Sequence, residues 1–121
     1  MITLFICLQC GMHRRDAEGL KIPNPDALKL ADDTAALLKD TPIKVQLTRC
    51  LSLCDYPVAW GLRAEDRYAY TFAPAATAED LAATARAWLA NPNPAEKLPK
   101  RDMPAAVRST LRSKLPPLPR P

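Results

Sequence analysis

Four cysteines are the residues of this chain best suited to chemistry, and they fall in two close pairs: Cys7-Leu8-Gln9-Cys10 and Cys50-Leu51-Ser52-Leu53-Cys54. Two or three intervening residues let both sulfurs of a pair turn toward one metal ion. Four thiolates from two such pairs suit a tetrahedral zinc ion or an iron–sulfur cluster. In a [2Fe–2S] cluster each pair would most simply hold one iron. Zinc is the competing metal, since Cys7-Leu8-Gln9-Cys10-Gly11 also reads as a zinc knuckle. Against zinc, the second pair has a three-residue gap and neither pair stands in a zinc-ribbon hairpin. The third chemistry is dithiol redox, for which Cys-x-x-Cys after a first strand is a known motif. In such oxidoreductases the motif opens a helix whose N-terminus lowers the thiol pKa. Here Gly11 and a long polar stretch follow it instead.

The other polar candidates are weaker. His13, the only histidine, lies three residues after Cys10 and could ligate a metal, but a lone His beside Arg14 and Arg15 reads first as solvent-exposed. Arg14, Arg15 and Arg49 flank the cysteines and could offset the charge of a thiolate-bound cluster. With three glycines the chain has no Gly-rich phosphate loop. It has no Ser/His/Asp arrangement, and one histidine leaves little room for acid–base catalysis. An electron carrier or metal-binding protein is expected rather than an enzyme.

The elements that would position the cysteines are legible from periodicity. Met1 to Cys7 is a strand apolar on both faces, and residues 11 to 24 form a loop. Asn24-Pro25-Asp26 starts a helix expected to run to about Lys39, with Leu28, Ala31, Ala35 and Leu38 on its apolar face. Ile43, Val45 and Leu47 alternate with polar residues in a half-exposed strand that ends just before Cys50. Val58 to Leu62 and Arg67 to Phe72 form a hairpin. Thr77 and Asp80 open a second helix carrying Leu81, Ala85, Trp88 and Leu89 on one face. Trp60 and Trp88 read as core residues. The first three elements make a right-handed βαβ unit with parallel strands. Its two strand ends, and hence both cysteine pairs, share one sheet edge, where open α/β sheets commonly place their sites. The expected architecture is α/β (α+β): a thioredoxin-like mixed sheet in β-α-β-β-β-α order over residues 1–90. A Pro-rich basic tail over 91–121 follows, with one short helix between Met103 and Lys114 and an extended end.

These residues also carry a resemblance. The run Cys50-Leu51-Ser52-Leu53-Cys54-Asp55-Tyr56-Pro57, then Tyr68-Ala69-Tyr70-Thr71-Phe72, the early Cys7-x-x-Cys10, and the tail from Leu98-Pro99 to Leu115-Pro116-Pro117-Leu118-Pro119 resemble a family of small bacterial predicted metal-binding proteins. That family is domain of unknown function 1636, itself similar to thioredoxin-like [2Fe–2S] ferredoxins. The resemblance implies a thioredoxin-like fold and a cluster held by Cys7, Cys10, Cys50 and Cys54. It also implies a link to cobalamin or cobalt metabolism that the residues themselves do not carry. The chain departs from those ferredoxins in the narrow gap between its first two cysteines.

Bulk properties set the surroundings. The 121 residues fit one domain, and 48% apolar composition is enough to bury a core. The stretch from Ile2 to Leu8 is too short for a signal peptide or a membrane span, so a cytoplasmic protein is expected. In that compartment paired cysteines are metal ligands or redox thiols more often than disulfides. The formal charge of +4 is uneven: from residue 95 onward there are seven Lys or Arg against two acids. A basic tail suits an acidic partner. The expected partner is a redox or metal-handling protein. Nucleic acid is disfavoured because the tail lacks aromatics. The same ligand set would also serve a cluster bridging a homodimer.

Overall fold

A computed structural model describes residues 2–7, 25–48, 58–93 and 96–117. Strand β1 (Thr3–Cys7) is followed by helix α1 (Pro25–Leu37), β2 (Lys44–Thr48), β3 (Trp60–Arg63), β4 (Ala69–Phe72), and α2 (Ala78–Leu89). A 3₁₀ turn (Lys100–Asp102), a one-turn helix α3 (Ala105–Arg108) and β5 (Leu111–Leu115) complete the order. The first six elements follow the order read from the sequence, and the class is α+β. The five strands form one mixed sheet in the order β2-β1-β3-β4-β5. β1 and β2 run parallel, while β3, β4 and β5 are each antiparallel to the strand beside them.

Pairing places Leu4 and Ile6 beside Leu62 and Trp60, and these beside Tyr70 and Phe72. All six are buried, and the Trp60 and Phe72 rings stack with centroids 4.4 Å apart. Ala27, Ala31 and Leu38 of the α1 region share this core with Leu81, Ala85 and Trp88 of α2. The α1 face differs from the expected one at two of four positions: Leu28 is 41% exposed and Ala35 is exposed too, while Ala27 and Thr34 are fully buried. Small side chains at 27 and 31 let the helix lie close to its neighbours, so packing overrides the larger apolar value of Leu28. On α2 the expected cap is present, with the Asp80 N–H donating to Thr77 Oγ1 at 3.2 Å. The Arg67 guanidinium donates to the Trp88 and Leu89 carbonyls at 3.1 and 3.0 Å, satisfying acceptors that a helix end leaves open.

On the opposite sheet face Phe5 pairs with Gly61. A Cβ at residue 61 would lie 2.6 Å from Phe5 Cε2, and it would press on the Tyr70 carbonyl oxygen as well. The ring can therefore cover the sheet at this point only because residue 61 is glycine.

The single helix expected between Met103 and Lys114 is corrected. Only Ala105–Arg108 is α-helical, and Leu111–Leu115 is a strand paired with β4. The cause is the open edge of β4, whose N–H and C=O groups need partners. Sheet pairing supplies them, and the Ala73 N–H continues the contact to the Thr110 carbonyl at 3.0 Å. Leu98, Met103 and Val107 are buried in the same core as the earlier elements. The Leu98 N–H donates to the Tyr70 hydroxyl at 2.8 Å.

Candidate metal centre

Cys7 is the last residue of β1, and its side chain is 1% exposed. Its N–H donates to the Ala59 carbonyl at 2.9 Å, which ties the strand end to the start of β3. Across the parallel ladder, Cys7 stands in register with Thr48, the last residue of β2. Neighbouring strands lie about 4.8 Å apart, so the two strand ends adjoin at one edge, as the βαβ reading requires.

Cys10, Cys50 and Cys54 lie outside the described residues, as do His13, Arg14, Arg15 and Arg49. Covalent reach still limits two of the cysteines. Cys50 follows Thr48 by two residues and Cys10 follows Cys7 by three. Their Cα atoms therefore stay within about 7 Å of Thr48 and about 11 Å of Cys7 respectively. Among the described residues no group of three His, Cys, Asp or Glu side chains gathers as a metal site.

The residues flanking Cys7 bear on whether the edge fits a thiolate-held group. Thr48 Oγ1 and Trp60 Nε1 are buried and lack a hydrogen-bond partner. Thr48 is the register partner of Cys7, and Trp60 pairs with Ile6 next to it. Buried donors without partners are uncommon, and an ion or group beside them is one physical reason for them. Thr48 shares the sheet face of Cys7 and can donate to a sulfur there, whereas Trp60 belongs to the helix-covered face. A donor set of thiolates beside a spare hydroxyl fits an iron–sulfur cluster or a zinc thiolate site. Sequence reasoning took Trp60 for core alone and passed over Thr48; its signal was its place two residues before Cys50.

A groove of about 520 Å³ lies between α1 and the start of α2. It is lined by Asp26, Lys29, Leu30, Asp33, Leu37 and Glu79 among others. Lys29 is paired to Asp33 at 2.7 Å, and the lining holds no cysteine or histidine. No helix among the described residues is long and apolar enough to cross a membrane.

Fold and sheet edge together define a small α+β protein that carries a buried cysteine where two parallel strands end. The chain belongs to the family described as Protein of unknown function (DUF1636), which it matches over residues 4–117. No curated protein and no solved structure matches it.

Proposed function

We propose that this protein binds one [2Fe–2S] cluster through Cys7, Cys10, Cys50 and Cys54 and acts as a thioredoxin-like electron carrier or cluster sensor. The observation that supports the reading is the register of Cys7 with Thr48, the last residues of two parallel strands whose sequences run on to Cys10 and to Cys50 and Cys54. When bound, the cluster would supply one-electron chemistry. The chain's own part is ligation, shielding and tuning. Cys7 anchors the site from a buried strand end, tied by its backbone to Ala59. Thr48 offers a hydroxyl donor on the same face, and the arginines at 14, 15 and 49 offset thiolate charge. A redox or metal-handling protein is the partner this role requires.

Serine substitution at each cysteine in turn tests the ligand set. Loss or severe weakening of metal binding with any one of the four supports it. Intact metal binding in Cys50→Ser and Cys54→Ser would refute it. Dependence on one pair alone would favour a dithiol oxidoreductase. Zinc in place of iron would leave the ligand set standing and change the role to a structural or metal-delivery module.

A further inference from the structure

Leu28 and Ala35 carry the apolar period of α1, yet the core does not use them. Both are exposed. Residues 28, 32 and 35 recur every three or four positions and so lie along one line of the helix, which Lys39 continues in the turn that follows. The buried line of Ala27, Ala31 and Thr34 adjoins it on one side. Beyond that buried line, Leu30, Asp33 and Leu37 border the groove toward α2. The line through Leu28 and Ala35 therefore lies on the flank of α1 turned away from α2. α1 packs on β2 as well as on α2, and β2 is an edge strand of the sheet. The outer flank of α1 thus overhangs the β2 edge.

β2 completes this surface. Val45 and Leu47 stand in register with the buried Leu4 and Ile6, so they lie on the helix-covered face of the sheet. Leu47 is nonetheless 36% exposed, and Val45 is only half-buried. Among the described residues β2 pairs with β1 alone, which leaves an outer row of backbone N–H and C=O groups open to another strand. The two edges of the sheet differ in charge. β5 has Arg112 and Lys114 within its five residues, and an antiparallel copy centred on Ser113 would set these cations against each other. β2 has one cation, Lys44, at its first residue. An antiparallel copy centred on Gln46 sets Lys44 opposite Thr48 and Val45 opposite Leu47, with no like charges facing. The two α1 flanks then meet antiparallel, and their opposite charges, Asp32 and Lys39, are complementary in that arrangement.

We infer that the β2 edge and the outer flank of α1 form a homodimer interface, at which a second copy of this chain pairs through β2 and doubles the five-stranded sheet. The contact uses the same patch on both copies, so it closes as a dimer. The strands supply backbone hydrogen bonds. Leu28, Ala35, Val45 and Leu47 supply apolar area that a five-residue strand pair lacks by itself. The interface does not depend on the metal reading.

The test measures the full chain, purified without oxygen, by sedimentation equilibrium across the micromolar range. A concentration-dependent dimer is expected, and the β2 amides that β1 leaves unbonded should gain exchange protection as it forms. Leu47→Lys places an unpaired ammonium in each half of the interface. It should weaken dimerisation about a hundredfold or more, each buried charge counting about tenfold or more. Leu28→Glu should weaken it through the helix flank, and Leu115→Lys, on the opposite edge strand, should leave it unchanged. All three positions are exposed, and circular dichroism would confirm that the variants fold. A monomer throughout, a dimer that Leu47→Lys or Leu28→Glu leaves intact, or one lost with Leu115→Lys would overturn the interface.

Discussion

Replacing Tyr70 with Phe deletes one oxygen and keeps the ring, which isolates the bond that docks the C-terminal segment. Tyr70 is 2% exposed, and its hydroxyl accepts the buried Leu98 N–H at 2.8 Å. Without that oxygen the donor is stranded, at a cost of about 1–3 kcal/mol. For a chain of this length the unfolding entropy is about 0.25 kcal/mol/K, so Tm should fall by roughly 4–12 °C. The assay is a thermal melt followed by circular dichroism, paired with amide hydrogen exchange. Leu98 should lose protection while Phe72, on β4 with Tyr70, keeps most of its own. The pH dependence has a definite sign. Burial raises the Tyr70 phenol above its ordinary value, partly opposed by the Leu98 bond. The neutral phenol is thus favoured in the folded state. Its contribution is complete below about pH 10 and is lost as pH rises through the raised folded value. The Tyr70→Phe variant should lack this alkaline component. An unchanged Tm with a still-protected Leu98 amide would refute the docking role assigned to this bond.

Three further outcomes follow from particular contacts. Gly61→Ala should destabilise by about 1–3 kcal/mol or more, because the new Cβ meets the Phe5 ring and the Tyr70 backbone together; a denaturant midpoint equal to the parent's would contradict that close approach. The Arg86–Asp40 pair at 2.7 Å joins α2 to the end of α1, and the Arg86 hydrogen bond holds the Asp40 carboxyl below its ordinary range. Its small, exposed contribution should be present above the ordinary carboxylate value and vanish as pH falls through the lowered one, so Arg86→Met should flatten the acid limb of a urea-midpoint profile. On the cluster reading, Thr48→Val should lower the reduction potential without changing metal content, since hydrogen bonds to sulfur raise it; an unchanged potential would remove Thr48 from the site.

Local chemistry made much of the fold legible. The Thr77 cap, the tyrosine and phenylalanine alternation of β4, and the Asn24-Pro25 helix start each act over a few residues, and each marks an element the structure contains. The α1 face differs from its apolar periodicity because side-chain hydrophobicity points to Leu28 and Ala35, whereas close packing selects Ala27 and Thr34 beside Ala31. β5 was illegible for another reason. Leu-Arg-Ser-Lys-Leu has little strand character of its own and takes that form from the free edge of β4. Of the buried anchors Leu98, Met103 and Val107, the last two stand at helical i,i+4 spacing, but Leu98 belongs to no periodic run, so nothing local marked it as core. At the site, the βαβ geometry was readable, and the Cys7–Thr48 register agrees with it; Cys10, Cys50 and Cys54 lie outside the described residues. The Leu98–Tyr70 hydrogen bond joins residues 28 apart, beyond the range of any sequence pattern.

The central claim is tested most directly by the absorption spectrum of protein purified without oxygen, with iron, sulfide and zinc assayed on the same sample. The account predicts brown protein with visible charge-transfer bands and roughly two irons and two sulfides per chain. Colourless protein holding about one zinc per chain, or no metal at all, would contradict it.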